Sequence, residues 1–518
     1  MFRGSLLVCT MLVVFAGCSG GGGVIGDSCR GNGDCDGTLQ CLNHRCVARC
    51  LRAPECGDGY SCDQHGSCQL ATGQAGAACQ SEVDCAAGLS CQIHGASVDN
   101  NRPLSTCSPD RATGPSGTPC TVDSECRNGT CGFGRCIDLC RQTRDCSIGN
   151  SCAIIPSNAP YGGCLPSAGR VVWSIPVTKP QDEILLPVPD VARSALLVMS
   201  VDDPGQKVGA KSVLSPEGTR VYDLCSPPSA GPPGCDRTMA LDQYFKNQVR
   251  HQPAFSQSVL ALPSGASTFE PGVYRVEVSS FQANDEAGSA IPHVTAVVQL
   301  AAGSILDLHF FFLDLAGHSC TAKTNNAPLD ASTAQSAGYF QQDYLGELRT
   351  VFDSAGLEIG ATSYQDVLDH PELDGLAVAD VGSLLRLGTF TTGINVFFVR
   401  SLSPMGLQAF GPNPGPAGLG GTAQSGIVIA LDTLCYRSWT ALARLTAHEL
   451  ARYMGLYHNV ELETAQHPKW RDLIGDSDDS SNNLMFFSEH AGPGAEPSVG
   501  TELSPGQRDI LLRSPVLR

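Results

Sequence analysis

The chain is poor in basic residues and in long apolar segments. It has 33 lysines and arginines against 51 aspartates and glutamates, which gives a formal net charge of −18 at pH 7. Because nucleic-acid binding requires a basic face, this balance argues against a nucleic-acid partner. No segment beyond the N-terminus approaches the roughly 18 uninterrupted apolar residues of a membrane-spanning helix. The length of 518 residues is too great for one hydrophobic core and predicts about three domains.

The longest apolar run lies at the N-terminus, from Leu6 to Gly17, and follows the single charge of Arg3. It is too short to span a bilayer as a mature helix and is typical of a secretory signal. We therefore expect a signal peptide over residues 1–17.

The end of this run resembles the bacterial lipobox, in which small residues precede a cysteine that becomes lipidated and N-terminal. Ala16 and Gly17 stand before Cys18, although Phe15 departs from the usual Leu, Val or Ile. The glycine-rich stretch 18–26 is typical of a flexible tether behind an anchor. The expectation is a lipoprotein held at the bacterial outer membrane or cell surface. The alternative is plain secretion.

Cysteine is abundant and periodic. Of the 26 cysteines, 24 remain for the mature fold when Cys9 of the signal and the lipidation candidate Cys18 are set aside, and an even number in an exported protein favours disulfides over metal thiolates. Twenty of them form five groups with the spacing C-x5-C-x5-C, one residue shorter in the fourth group. The groups are Cys29, Cys35, Cys41, Cys46; Cys50, Cys56, Cys62, Cys68; Cys79, Cys85, Cys91, Cys107; Cys120, Cys126, Cys131, Cys136; and Cys140, Cys146, Cys152, Cys164.

A fixed period with a variable last gap predicts an array of disulfide-stapled repeats over residues 27–166. A unit of about 20 residues cannot bury a core, so two bridges should close within each unit. Three pairings remain open. The spacing resembles small cysteine-rich repeats of bacterial surface proteins and, loosely, Dickkopf-type modules. The array is either a stalk or a ligand-binding module. We expect Cys225–Cys235 and, by elimination, Cys320–Cys435 as the remaining bridges.

Two further regions follow the repeats. Residues 167–302 contain short alternating apolar runs separated by proline, glycine and aspartate, which predicts an antiparallel β-sandwich. From residue 303 to 518 the pattern is mixed α/β, with a buried strand at Ile305–Leu313 and a helix predicted over about Ala331–Ala355.

The segment HELARYMGLYH, from His448 to His458, carries the clearest chemical signal. On a helix, residues four apart share a face, so histidines at that spacing can bind one metal ion, and the glutamate beside the first can take a proton from metal-bound water. Gly455 lets the chain turn so that His458 can return to the metal. The segment matches the zinc-protease pattern H-E-x-x-H-x-x-G-x-x-H except that Arg452 replaces the middle histidine.

Together with its surroundings, this motif resembles the pappalysin-like metzincins, a family of zinc endopeptidases, over Gly303–Arg518. Ser425–Thr433 resembles the strand that borders the substrate cleft. Asn482–Ser488 resembles the Met-turn, in which Met485 would pack beneath the metal. The ending TELSPGQRDILLRSP resembles the C-terminal helix of that family. Ser504, Pro505 and Gln507 there have the order of an N-cap, a first-turn proline and a capping-box glutamine, which predicts the start of a helix. The resemblance implies zinc as cofactor, a peptide or protein substrate, and a hydrolase activity.

In that assignment His448 and His458 would bind zinc and Glu449 would be the general base. Arg452 puts the activity in question, because a guanidinium does not deprotonate in proteins and repels a cation. A nearby histidine, His467 or His490, could supply the third ligand, or the arginine could turn away.

Arg452 could instead pair with Glu449 one helical turn away and replace the charge of the metal. Three hypotheses remain. The first is a zinc endopeptidase, active or impaired. The second is a pseudo-peptidase that binds surface partners, or peptides along GIVIAL, without cleaving them. The third is a structural or adhesive lipoprotein whose function resides in the cysteine repeats.

Overall fold

The structure is a computed structural model that describes residues 28–518 with gaps. The gaps are residues 31, 38, 43–44, 49–59, 63–67, 71–72, 97–102, 112–113, 225–247, 252, 254, 266–268, 314, 316–317, 319, 404–406, 465–466, 479 and 487–499. The chain forms two compact units, residues 1–110 and 111–518, and each is described by itself. The described protein is multidomain and mostly β-sheet, with few helices. None of its described helices has the length and apolarity that crossing a bilayer requires.

Each four-cysteine repeat contains one antiparallel hairpin. The pairs are β1 (Leu39–Leu42) with β2 (Arg45–Ala48), β3 (Tyr60–Cys62) with β4 (Cys68–Leu70), β5 (Leu89–Ala96) with β6 (Pro103–Pro109), β7 (Cys131–Gly132) with β8 (Arg135–Cys136), and β9 (Asn150–Ile155) with β10 (Tyr161–Pro166). The third and fourth cysteines of every repeat are cross-strand neighbours, as Cys91 and Cys107 are.

Four repeats show the same crossed disulfide pattern, first cysteine to third and second to fourth. The bridges are Cys29–Cys41, Cys35–Cys46, Cys79–Cys91, Cys85–Cys107, Cys120–Cys131, Cys126–Cys136, Cys140–Cys152 and Cys146–Cys164. The prediction that bridges close within repeats is confirmed for these four. Cys50 and Cys56 of the second repeat, and the predicted pair Cys225–Cys235, lie outside the described residues.

Two four-stranded antiparallel sheets follow the repeats and share one apolar core. The first has the order β11 (Arg170–Ile175), β18 (His293–Gln299), β13 (Ser194–Ser200), β16 (Gln257–Leu262), and the second the order β12 (Gln181–Val188), β17 (Gly272–Phe281), β14 (Lys207–Leu214), β15 (Arg220–Asp223). Alternate residues such as Leu197, Met199 and Val276 fill the space between them. The prediction of an antiparallel β region here is confirmed.

The first of these sheets is buried on both faces. On β13, Leu197 and Met199 point to the core between the sheets, whereas Leu196 and Val198 belong to the core of the C-terminal region. This is why β13 reads as a continuous apolar run: a strand that is covered on both sides has no polar face to alternate with.

The C-terminal region is built on a five-stranded mixed sheet. Its order is β20 (Glu358–Val367), β19 (Ile305–Leu313), β22 (Ile394–Val399), β25 (Ile427–Ala430), β24 (Ala409–Phe410). The first four strands are parallel, and β24 runs antiparallel at the edge. The region also has two two-stranded sheets, β21 (Gly375–Ala377) with β23 (Ser401–Ser403), and β26 (Val460–Thr464) with β27 (His467–Arg471).

The described helices of this region are α1 (Ala331–Ser336), α2 (Leu345–Ser354), α3 (Val381–Leu385), α4 (Trp439–Tyr453) and α5 (Pro505–Leu512). The single helix predicted over Ala331–Ala355 is wrong in one respect. The chain leaves helical geometry at Ala337 and continues as a π-helical turn, Tyr339–Tyr344, before α2. The expected disulfide Cys320–Cys435 is confirmed and ties the segment after β19 to the turn before α4.

Candidate functional site

The motif helix α4 is fixed in the fold by its own cap and by its neighbours. The hydroxyl of Ser438 accepts a hydrogen bond from the amide of Ala441 at the first turn. Tyr344 donates to Thr446 Oγ1 at 2.9 Å, and Arg444 pairs with Glu347 of α2 at 2.6 Å. The apolar face of α4 is buried in the C-terminal core, so its other side presents the motif residues.

Gly455 turns the chain back toward the helix. Its φ of +111° is in the region that favours glycine, and the amide of Leu456 donates to the carbonyl of Ala451 at 3.0 Å. The turn brings His458 Nε2 to 3.1 Å from His448 Nε2. The two histidines predicted as metal ligands are therefore brought together.

The orientation of the His448 ring is set by the main chain beneath it. Nδ1 lies 2.7 Å from the carbonyl oxygen of Leu484, and since a carbonyl can only accept, Nδ1 carries the proton. Burial lowers the pKa of His448 well below its usual value, and the nearby His458 and Arg452 lower it further. The ring is therefore neutral, and its Nε2 lone pair is directed at His458.

The histidine pair has the geometry of two ligands to one ion. Ligands bonded at about 2.0–2.1 Å to a tetrahedral zinc lie roughly 3.3 Å apart, close to the 3.1 Å found here. Within the described residues, groups of three or more histidine, cysteine, aspartate or glutamate side chains close enough to hold one metal ion occur only among the disulfide cysteines of the repeats. The histidine pair therefore has no third ligand atom of these types near it in the described part of the chain. The residues present fit two zinc ligands and do not fit the three-ligand set of a catalytic zinc.

Arg452 lies beside Glu449. One guanidinium nitrogen is 3.7 Å from Glu449 Oε2, an ion pair between residues three apart on the helix. Neither Glu449 Oε2 nor Arg452 Nε has a hydrogen-bond partner among the described residues. Burial raises the pKa of Glu449, and the charges of Arg452 and His458 oppose that rise. The arginine thus provides positive charge next to the carboxylate that a general base would use.

The segment resembling a Met-turn is hydrogen-bonded to both sides of the histidine pair. Leu484 accepts from His448, and the carbonyl of Met485 accepts from the amide of Asn459, the residue after His458, at 3.1 Å. Met485 is completely buried. The side-chain amides of Asn483 and Gln507 exchange hydrogen bonds at 3.0 and 3.2 Å, which ties this turn to α5.

The N-terminus of α5 forms as the sequence predicts. Ser504 caps the helix, Pro505 occupies its first turn, and Gln507 completes the capping box. Gln507 therefore has two roles, since the same buried amide also binds Asn483.

A cleft of about 570 Å³ opens beside Arg452. It is lined on one side by residues of the β-sandwich, including Phe255 and Gln257, and on the other by Arg386 and Phe410 of the C-terminal region. Sequence patterns do not predict that the sandwich contributes to this cleft, because Phe255 and Gln257 belong to no recognisable motif.

The strand that borders the cleft is β24. The prediction that GIVIAL, which forms β25, borders the cleft and offers its edge to a peptide is wrong. Strand β25 pairs with β22 on one side and β24 on the other, so it has no open edge for a peptide. Strand β24 ends at Phe410, and the next residue is Gly411, where a Cβ would lie 2.9 Å from an Ile427 side-chain atom and 3.0 Å from Glu449 Oε2. Only glycine fits between the strand and the glutamate without displacement.

Three residues predicted to have a role have no described side chain. Cys18 and His490 lie outside the described residues, and His467 lies in β27 with its side chain outside the description. Neither histidine is therefore placed as a third metal ligand.

Comparison with known proteins adds no assignment. No model of a known protein family matches the chain. No curated protein matches it either.

Proposed function

We propose that the chain is a surface-anchored lipoprotein whose C-terminal region is a metzincin-like peptidase domain with an impaired zinc centre. The observation that carries this proposal is the convergence of His448 and His458 at 3.1 Å, with Arg452 beside Glu449 where a third ligand would be expected. The turn at Gly455 and the hydrogen bonds that the carbonyls of Leu484 and Met485 accept support the same assignment.

The donor set limits the chemistry. Two histidines bind zinc more weakly than three, and a fixed cation beside them disfavours a divalent ion. We therefore derive no hydrolytic step for the chain as it stands. Glu449 keeps the position of a general base, but its carboxylate interacts with Arg452.

Peptide binding without cleavage is the second candidate function. It is supported by the cleft beside Arg452 and by the position of β24 at the edge of its sheet, since an extended peptide can pair with an unpaired strand edge. An adhesive role of the cysteine repeats is compatible with either candidate.

Cleavage assays on three forms of the full exported chain test the proposal. The unaltered protein should cleave a mixed peptide library poorly. Arg452→His should raise cleavage, because it completes the three-histidine set. The matched double variant, Arg452→His with Glu449→Gln, should lose that gain because it keeps the ligands and removes the base. Efficient cleavage by the unaltered protein would contradict the impaired centre.

The anchor has a separate test. Mass spectrometry of the mature N-terminus should find an acylated cysteine at Cys18. An unmodified N-terminus at another residue would instead support plain secretion.

A further inference from the structure

The cleft beside Arg452 has a charge opposite to that of the chain. Its charged lining side chains are Arg386 and Arg452, and no aspartate or glutamate is among the lining residues. The whole chain has 51 acidic against 33 basic residues. His251, also in the lining, is kept neutral near pH 7 because burial lowers its pKa to about 4. A cationic cleft in an acidic protein is a local feature that selects an anion.

The cleft also contains polar groups without partners. Gln257 is only 5% exposed. Its side-chain oxygen Oε1 accepts a hydrogen bond from the main-chain amide of Ala423, and its Nε2 has no hydrogen-bond partner among the described residues. Arg452 Nε and Asn413 Oδ1 in the same lining likewise have none. Because buried polar groups are normally hydrogen-bonded, these atoms are available to a ligand that carries both acceptors and donors.

The remaining lining favours a peptide as that ligand. Phe255 is 58% exposed at the cleft, and Phe410 lies on β24, which is the terminal strand of its sheet. Aromatic surface beside a strand edge suits an extended chain with apolar side chains, whereas a small inorganic anion would leave it uncovered.

We propose that this cleft binds peptides bearing a carboxylate, either an acidic side chain or a free C-terminus, through Arg386 and Arg452. The guanidinium of Arg452 lies 3.7 Å from Glu449 and its Nε has no hydrogen-bond partner among the described residues, so it can donate to a second carboxylate from the cleft side. This inference rests on the proposed peptide-binding role of the region and does not require zinc.

Binding to synthetic peptides tests the charge preference. The full exported chain is mixed with EDTA and with fluorescent pentapeptides that have a central glutamate or glutamine flanked by phenylalanines, both blocked at their ends. A third peptide has the glutamine sequence and a free C-terminus. Fluorescence anisotropy should show at least about tenfold tighter binding of one or both carboxylate peptides than of the blocked glutamine peptide, with the difference shrinking as salt is added. The two carboxylate peptides distinguish the source of the anion.

Single substitutions locate the effect. Arg386→Gln and Arg452→Gln should each abolish most of the preference, whereas Arg349→Gln, which removes the same charge from an exposed position on α2 outside the cleft, should leave it intact. Equal affinity for all three peptides, or an equal loss in Arg349→Gln, would overturn the charge inference alone. Absence of binding to every peptide would overturn the peptide-binding role as well. Neither result would alter the zinc measurements that test the metal centre.

Discussion

The first and third repeats, in the first unit, and the fourth and fifth repeats, in the second unit, have the same disulfide pattern but different packing around it. In the first repeat, the described apolar side chains that cluster are mainly the cysteines themselves. In the fourth and fifth repeats, Phe133, Ile137, Ile155 and Leu165 belong to the core of the β-sandwich, and Phe133 packs edge-on against Trp173 at 4.9 Å between ring centres. Equal cysteine spacing therefore does not imply equal dependence on the disulfides.

Reduction of the disulfides should give the largest difference in stability between the first and third repeats and the fourth and fifth repeats. In the first and third repeats, reductant removes the main source of stability, because units of this size cannot bury an adequate core. We expect complete loss of amide protection there, whereas the fourth and fifth repeats keep part of theirs through the sandwich core. Hydrogen exchange after reduction and thiol blocking measures this. Equal loss in all repeats would show that the packing at Phe133 adds nothing.

Removing the contact between Phe133 and Trp173 should make the fourth repeat depend on its disulfides as the first and third repeats do. Phe133→Ala deletes a buried ring that packs on Trp173 and should cost about 3–5 kcal/mol of unfolding free energy, together with protection in the fourth repeat. The exposed Val122→Ala in the same repeat is the control and should change stability by less than about 0.5 kcal/mol. Denaturant unfolding of both variants provides the comparison.

Acid should act on the β-sandwich and leave the disulfides intact. The pKa of His251 is about 4 in the folded protein and near 6.5 when unfolded, so the unfolded chain binds more protons between these values. The contribution of neutral His251 is present in full above pH 6.5 and falls as pH decreases to 4, by on the order of 3 kcal/mol.

Replacing His251 with glutamine isolates the contribution of its titration to the free energy of unfolding. His251→Gln retains a donor and an acceptor for Val259 and Ala210 but does not titrate, so its stability should fall less between pH 6.5 and 4 than that of the unaltered chain. Identical pH profiles for the two proteins would exclude His251 as the source.

The smallest effect is expected where side-chain amides tie the turn under the histidine pair to α5. Asn483→Ala leaves the buried amide of Gln507 without its partner and should cost about 1–3 kcal/mol. The exposed Asn482→Ala next to it is the matched control. Thermal unfolding of both variants measures the difference, and equal melting temperatures would contradict a structural role for the Asn483–Gln507 pair.

Local patterns in the sequence predicted much of this architecture. The cysteine period gave the repeats, and helix α4, the turn at Gly455 and the cap at Ser504 followed from rules that act over a few residues. Non-local pairings were harder. The crossed disulfides, the position of β24 at the sheet edge and the burial of both faces of β13 depend on contacts between distant segments, which no spacing encodes.

The candidate site also combines residues that local patterns predict with groups that only contacts between distant segments bring together. His448, Glu449 and His458 were found from the motif, but the carbonyl of Leu484 that orients His448 is a main-chain group with no sequence signature. The cleft residues Phe255 and Gln257 come from a different domain, so the motif could not reveal them.

The central claim is that Arg452 alone prevents a three-histidine zinc centre on a frame that is otherwise complete. Zinc content of the full chain, after dialysis against excess zinc and then against metal-free buffer, tests this claim most directly. Arg452→His should retain close to one zinc per chain, whereas the unaltered protein and the charge-retaining control Arg452→Lys should retain far less. Stoichiometric zinc in the unaltered protein, or none in Arg452→His, would contradict the account.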